Sequence, residues 1–192
     1  MLGAQVNNRV KLLLLTGVLV LPTILVYLAY ERFDWRPSGQ KNYGELLPPS
    51  RIANGAGNWE DGATSWFERT SGKWVLVYVG PSACDEGCRR SLYYLRQVRI
   101  LQDGERHRIR LAWVLTDAGK VDPALLQTLP GLGLWRPADT AFTRQFPQEN
   151  PTAWHVYLID PLGNLILRFP TQPDAQRMEK DIRLLLQASQ IG

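Results

Sequence analysis

Residues 12–30 (LLLLTGVLVLPTILVYLAY) hold no charge over 19 positions, close to the ~20 apolar residues a helix needs to cross a hydrocarbon core. A membrane span is predicted. A cleaved signal sequence would have a shorter apolar region, roughly 7–15 residues, ahead of small residues that Leu28-Ala29-Tyr30-Glu31 does not supply. The next stretch, 31–60, reads as a linker, because Arg36-Pro37-Ser38-Gly39, Pro48-Pro49-Ser50 and Asn54-Gly55-Ala56-Gly57-Asn58 are all turn chemistry. Only 43–47 suggests a short extended piece.

Beyond residue 60 the apolar pattern changes period. Residues 73–80 (KWVLVYVG) form an unbroken β-branched and aromatic run, as expected of a central parallel strand buried on both faces. Residues 89–101 then read as a helix, with Cys84, Cys88, Leu92 and Leu95 spaced to fall on one face and Gly104 closing it. A second strand is predicted at 108–115, and Asp122-Pro123-Ala124 starts a short helix that Pro130-Gly131 breaks. Residues 131–150 stay ambiguous, with Phe142 and Phe146 spaced for one helical turn. Residues 154–159 and 165–169, joined by Asp160-Pro161-Leu162-Gly163-Asn164, predict a β-hairpin. Thr171-Gln172-Pro173-Asp174 opens a last helix as a capping box, with Met178, Ile182, Leu185 and Leu186 as its apolar stripe.

The order of strand, cysteine turn, helix, strand, helix, hairpin and helix is that of an α/β thioredoxin-like fold, a central mixed sheet flanked by helices. The expected organisation is a tail at 1–11, the anchor at 12–30, the linker at 31–60 and the domain at 61–192. Of the 192 residues, enough follow the linker for one domain with a real core.

Charge narrows the partners. The formal net charge of +4 is spread along the chain, with no basic stripe to track a phosphate backbone, so nucleic acid is not expected. Arg9 and Lys11 precede the span, whereas Arg32 and Arg36 after it are mixed with Glu31 and Asp34. The positive-inside rule then puts the N-terminus in the cytoplasm and the C-terminal domain in the periplasm, outside the inner membrane.

Cys84 and Cys88 are the only cysteines. A bridge between them closes a very short loop and so would be a poor structural staple. At i and i+4 their Cα atoms should lie roughly 6 Å apart, which suits a redox disulfide or a shared soft metal ion. A helix N-terminus stabilises a thiolate, and Asp85 and Glu86 beside it oppose that effect. His155 is the candidate third ligand for a metal; its ordinary alternative is a strand histidine sharing a face with Tyr157. His107 in a charged turn and Met178 on a helix stripe suit solvent and core respectively.

The anchor, the C-x-x-x-C turn and the Tyr157-Leu158-Ile159-Asp160-Pro161-Leu162-Gly163 hairpin together resemble the Sco/SenC family, whose thioredoxin-like members assist assembly of the copper centre of cytochrome c oxidase. The resemblance implies a membrane-anchored assembly factor that uses Cys84 and Cys88 for copper delivery, or for redox maintenance of a copper site. It implies copper as cofactor, with an oxidase subunit or its copper-delivery proteins as partners. In that family each cysteine is followed by Pro, where this chain has Asp85 and Arg89, and the metal-binding His falls at the position of Thr152. A general periplasmic thiol-disulfide oxidoreductase and a non-catalytic scaffold are the alternative readings. Pro151, near the cis-Pro position of thioredoxin-like reductases, would fit the former.

Overall fold

The computed structural model describes residues 7–33, 42–148, 154–189 and 191. The first of its two units, Met1–Lys41, holds helix α1 (Asn8–Phe33). Asn8–Leu28 has a mean hydropathy of 2.2 and is long and apolar enough to cross a membrane. Its two threonines turn their hydroxyls back onto the helix, Thr16 onto the Leu12 carbonyl at 2.9 Å and Thr23 onto that of Leu19 at 3.4 Å. Neither leaves an unpaired polar group on the apolar surface.

The second unit, Asn42–Gly192, is built on a seven-stranded sheet. Its elements are β1 (Glu45–Arg51), β2 (Gly57–Trp59), α2 (Trp66–Thr70), β3 (Trp74–Gly80), α3 (Glu86–Leu101), β4 (Ile109–Leu115), α4 (Pro123–Gln127), β5 (Leu132–Pro137), α5 (Thr140–Thr143), β6 (Val156–Ile159), β7 (Asn164–Phe169) and α6 (Ala175–Ala188). The strand order β1-β7-β6-β3-β4-β5-β2 puts β3 in the middle, parallel to β4 and antiparallel to β6. Every residue of β3 is buried, as its unbroken apolar run requires.

The pleat divides the core into two layers. Trp74, Leu76 and Tyr78 of β3 face Cys88, Leu92, Leu95 and Val98 of α3 and Met178, Ile182 and Leu186 of α6. Val75, Val77 and Val79 face the other way, into a layer with Trp66 of α2, Phe142 of α5, Trp59 and Trp135.

Residues 31–60 are only partly the expected linker, since they supply both edge strands. β1 pairs with β7, and its register shifts between Leu46 and Ser50, the interval that holds Pro48 and Pro49. Proline lacks a ladder donor and is tolerated on an edge, which is why this stretch looks like loop chemistry and still forms a strand. β2 is three residues long and starts at Gly57, where a Cβ would stand 2.5 Å from the Arg136 carbonyl and 2.6 Å from the Trp135 ring. The ambiguous stretch after residue 131 holds β5, parallel to β4, and then the single turn α5. α3 ends at Leu101 and passes into a 3-10 segment at Asp103–Arg108, so Gly104 is not its stop; Asp103 takes the left-handed turn, with φ of 43°. The last helix is capped by Asp174, which accepts from the amides of Gln176 and Arg177, rather than by a Thr171 box.

Arg108 ties the end of α6 to the sheet. Its guanidinium donates to the carbonyls of Leu186 (3.1 Å), Ser189 (2.8 Å) and Ile191 (2.7 Å), and pairs with Glu105 at 2.5 Å. Carbonyls left open at a helix C-terminus favour a cation. Arg108→Ala should therefore lower unfolding free energy by about 2–3 kcal/mol, from lost charge-assisted bonds and carbonyls left unpaired, as read from urea denaturation. An unchanged midpoint would show that the chain end contributes nothing to stability.

Candidate functional site

β3 ends at Gly80, and the chain then turns through Pro81, Ser82 and Ala83 to Cys84. Cys84 and Cys88 are joined by a disulfide, with Cα atoms 5.2 Å apart. α3 begins at Glu86 and Asp85 is its N-cap, accepting from the Cys88 amide at 2.8 Å. The acid between the two sulfurs is thus committed to the helix end. Glu86 is turned outward to Arg90 at 2.8 Å.

The two cysteines differ in access. Cys88 is 4 % exposed within the α3 core layer, whereas Cys84 is half-buried and lines a surface groove of about 600 Å³. Of the two sulfur-bearing residues, Cys84 is the one open to the groove and Cys88 lies in the core behind it. Beneath the turn lies Tyr78, whose ring leaves no room on Gly80: a Cβ there would stand 2.8 Å from Tyr78 Cε1. Burial first, and the Asp85 charge second, push the Tyr78 phenol well above its ordinary range, so it stays protonated.

The turn is held from the neighbouring strand. Asp117, just past the end of β4, accepts from the Ser82 amide at 3.0 Å and the Gly119 amide at 3.2 Å. Gly119 packs so closely on Ser82 Oγ that a Cβ would not fit. Desolvation tends to raise the Asp117 carboxyl. Bonds from the Ser82 hydroxyl and amide and the Gly119 amide, with the charge of Arg136, outweigh it and hold the group below the usual carboxylate range. A depressed folded-state pKa contributes stability that is present above the unfolded value and lost as pH falls through the folded one. Asp117→Asn should thus unfold with a shallower pH dependence than the wild type below about pH 4. Parallel acid-unfolding curves would contradict this.

His155 is not brought to the cysteines. Trp154 packs with Val156 and Leu158 on the layer that holds Cys88, so alternation sends His155 to the face of Tyr157, with which its ring makes an edge contact at 6.2 Å. His155 Nδ1 donates to the Phe169 carbonyl at 2.8 Å, and its buried Nε2 has no hydrogen-bond partner among the described residues. It lines a separate cavity with Tyr43, Glu45 and Arg168. The expected Cys84, Cys88 and His155 ligand set is therefore not assembled, and among the described residues no three His, Cys, Asp or Glu side chains gather to hold a metal. His107 is exposed and Met178 lies in the core. Pro151 and Thr152 fall outside the described residues.

Ser82, Asp117 and Lys120 were not singled out from sequence, and Asp122 was read only as the start of a helix, not as a groove residue. Asp117 had a detectable signal, as an acid directly after a parallel strand beside the one that feeds the cysteine turn; ligands of open α/β sheets collect at such carboxyl ends. Lys120 had none.

A cysteine pair that brackets the start of a helix, after the central strand of a mixed sheet, defines a thioredoxin-like fold. The family described as transmembrane-like, thioredoxin-like, C-terminal domain matches residues 74–189. That is more than half of the chain, and the chain belongs to that family. No curated protein sequence matches it. Among solved structures, yeast Sco1 with copper bound superposes with a TM-score of 0.62 at 16 % identity, over 74 % of this chain and 96 % of that one. BsSco, described as a member of the Sco family of cytochrome c oxidase assembly proteins with a disulfide switch, gives 0.55 at 12 %, over 76 % and 98 %. A Chlorobium tepidum protein assigned as thiol:disulfide interchange protein DsbE gives 0.56 at 19 %, over 74 % and 99 %. At these identities the likeness is one of fold, and it bears out the thioredoxin-like architecture and the resemblance to Sco/SenC structures.

Proposed function

We propose that this chain is a Sco-type assembly factor for cytochrome c oxidase that acts by thiol-disulfide exchange, keeping the cysteines of a partner's copper site reduced. α1 anchors it in the inner membrane, with the thioredoxin-like domain in the periplasm. The partner is an oxidase subunit or one of its copper-delivery proteins. The observation that carries this reading is the asymmetric pair: Cys84 opens on a groove, Cys88 is buried behind it, and the two are close enough to be bonded.

The chemistry follows from that asymmetry. In the reduced protein the Cys84 thiolate attacks a partner disulfide, forming a mixed disulfide and expelling one partner thiolate. The Cys88 thiolate then attacks Cys84 Sγ, which releases the second partner thiolate and leaves the Cys84–Cys88 disulfide. Two electrons pass to the partner, and the two released thiolates take up protons from solvent. A dithiol reductant in the same compartment must return the pair to its reduced form.

A second reading is supported by the copper in yeast Sco1. Two thiolates either side of the α3 N-cap, with Cα atoms 5.2 Å apart, are soft donors that suit two-coordinate Cu(I), so Cys84 and Cys88 would hold it once reduced, without His155. Oxidase activity in cells lacking the chain separates these ideas from a scaffold. The wild type and His155→Ala should restore activity and Cys84→Ser/Cys88→Ser should not. Restoration by the double variant would overturn both cysteine readings.

A further inference from the structure

The groove beside Cys84 has a charge pattern that the exchange reading does not use. Its lining includes Ala83, Val121 and Pro123 and four charged side chains, Asp85, Asp122, Arg89 and Lys120. Three of the four are committed. Asp85 accepts from the Cys88 amide at 2.8 Å. Asp122 accepts from the Ala124 amide at 2.9 Å and stands 3.8 Å from Arg89. Lys120 alone has neither an ion pair nor a side-chain hydrogen bond among the described residues. It is exposed and lines the same groove as Cys84. The four formal charges sum to zero, but Asp122 stands with Arg89 and Asp85 sits at the N-terminus of α3, where the helix dipole opposes its charge, so Lys120 is the groove charge without a partner.

We infer that Lys120 is a specificity-determining residue, and that the groove takes thiols or disulfides with an anionic group close to the reacting sulfur: a carboxylate-bearing thiol, or a polypeptide cysteine flanked by an acidic side chain. This rests on the exchange reading above and names the substrate class of that same site. The step probed is the reduction of the bonded form. An external thiolate attacks Cys84 Sγ, the Cys84–Cys88 bond breaks, and Cys88 leaves as a thiolate that takes a proton from solvent. A second external thiol then resolves the mixed disulfide, so two thiols are oxidised to one disulfide as the pair gains two electrons. The ammonium of Lys120 sits where it attracts an anionic thiol and repels a cationic one.

The test uses the full chain, oxidised, in neutral detergent micelles. Mercaptoacetate and cysteamine serve as anionic and cationic thiols at matched thiolate concentration, and freed cysteines are counted by maleimide labelling. Each rate is divided by that of the same thiol with a small neutral disulfide, which removes the intrinsic difference between the two thiolates, and the normalised rate should be about threefold higher for mercaptoacetate, the scale of one exposed charge contact. Lys120→Glu should reverse the preference, and Lys180→Glu, an equal charge change on the exposed surface of α6, should leave it intact. About 0.5 M salt should flatten it, since the screening length is then only a few Å. Equal normalised rates for the two thiols, or equal shifts from Lys120→Glu and Lys180→Glu, would overturn the assignment while leaving the exchange reading standing. A pair that no thiol reduces would overturn the exchange reading itself, and this inference with it.

Discussion

Cys88→Ser should turn the protein into a trap. With the internal partner removed, a disulfide attacked by Cys84 has no resolving thiol, and the mixed disulfide persists until an external thiol arrives. Incubated with glutathione disulfide, the reduced Cys88→Ser chain should accumulate one glutathione on Cys84. The wild type should pass through that species to the Cys84–Cys88 bond, because the two sulfurs are within bonding reach on the same turn. Cys84→Ser should form almost no adduct, since the remaining sulfur is 4 % exposed within the α3 core layer. The expected contrast is close to all or none, and peptide mapping by mass spectrometry reads it. Equal adducts on both single variants would mean that the burial difference does not order the two cysteines.

The second large effect concerns stability. Trp66 is fully buried and lies within 5.1 Å of Trp59, 5.7 Å of Trp135 and 5.1 Å of Phe142, ring centre to ring centre. It is the hub of the layer on the sheet face away from the cysteines. Trp66→Ala should cost about 3–5 kcal/mol, from lost burial plus the cavity left behind, out of the ~5–15 kcal/mol typical of a whole domain. Tyr93→Ala, on the exposed side of α3, should stay within about 0.5 kcal/mol. Denaturant titration of both variants tests the pair. A loss at Trp66 no greater than at Tyr93 would mean that the aromatic layer collapses without cost.

That aromatic layer also marks where sequence reading stopped short. β3, α3, β4 and the β6–β7 hairpin were legible because each carries its own period: an unbroken apolar run, a stripe on one helix face, or strand alternation around a Pro and Gly turn. β1 was legible only as the short extended piece at 43–47, and β2 and β5 were not legible, for physical reasons particular to each. β1 holds Pro48 and Pro49 on an edge where no ladder donor is missed. β2 is three residues opened by Gly57, present because the Trp135 ring lies against its backbone. β5 contains Gly133, where a Cβ would stand 2.8 Å from the Trp59 ring. Close packing of tryptophan onto glycine binds these strands together, and no local propensity reports it.

At the site, the cysteine pair and its position on the fold were readable from spacing and order. The third ligand was not. His155 and Trp154 are neighbours in sequence, and only the pairing of Val156 with Tyr78 decides which of them faces Cys88. A one-residue difference in register exchanges the faces. Asp117 and Lys120 reach the turn through the β3–β4 pairing, a contact between residues far apart in the chain.

If Cys84 and Cys88 form a reversible exchange couple, the full chain in neutral detergent, equilibrated with glutathione buffers of graded ratio and then quenched for thiol counting, should show a smooth two-electron transition. Dithiol and Cys84–Cys88 disulfide should interconvert along the same curve from either direction, with any mixed glutathione species confined to Cys84. A pair that stays reduced or stays bonded across the whole range, or that carries its glutathione on Cys88, would contradict reversible exchange.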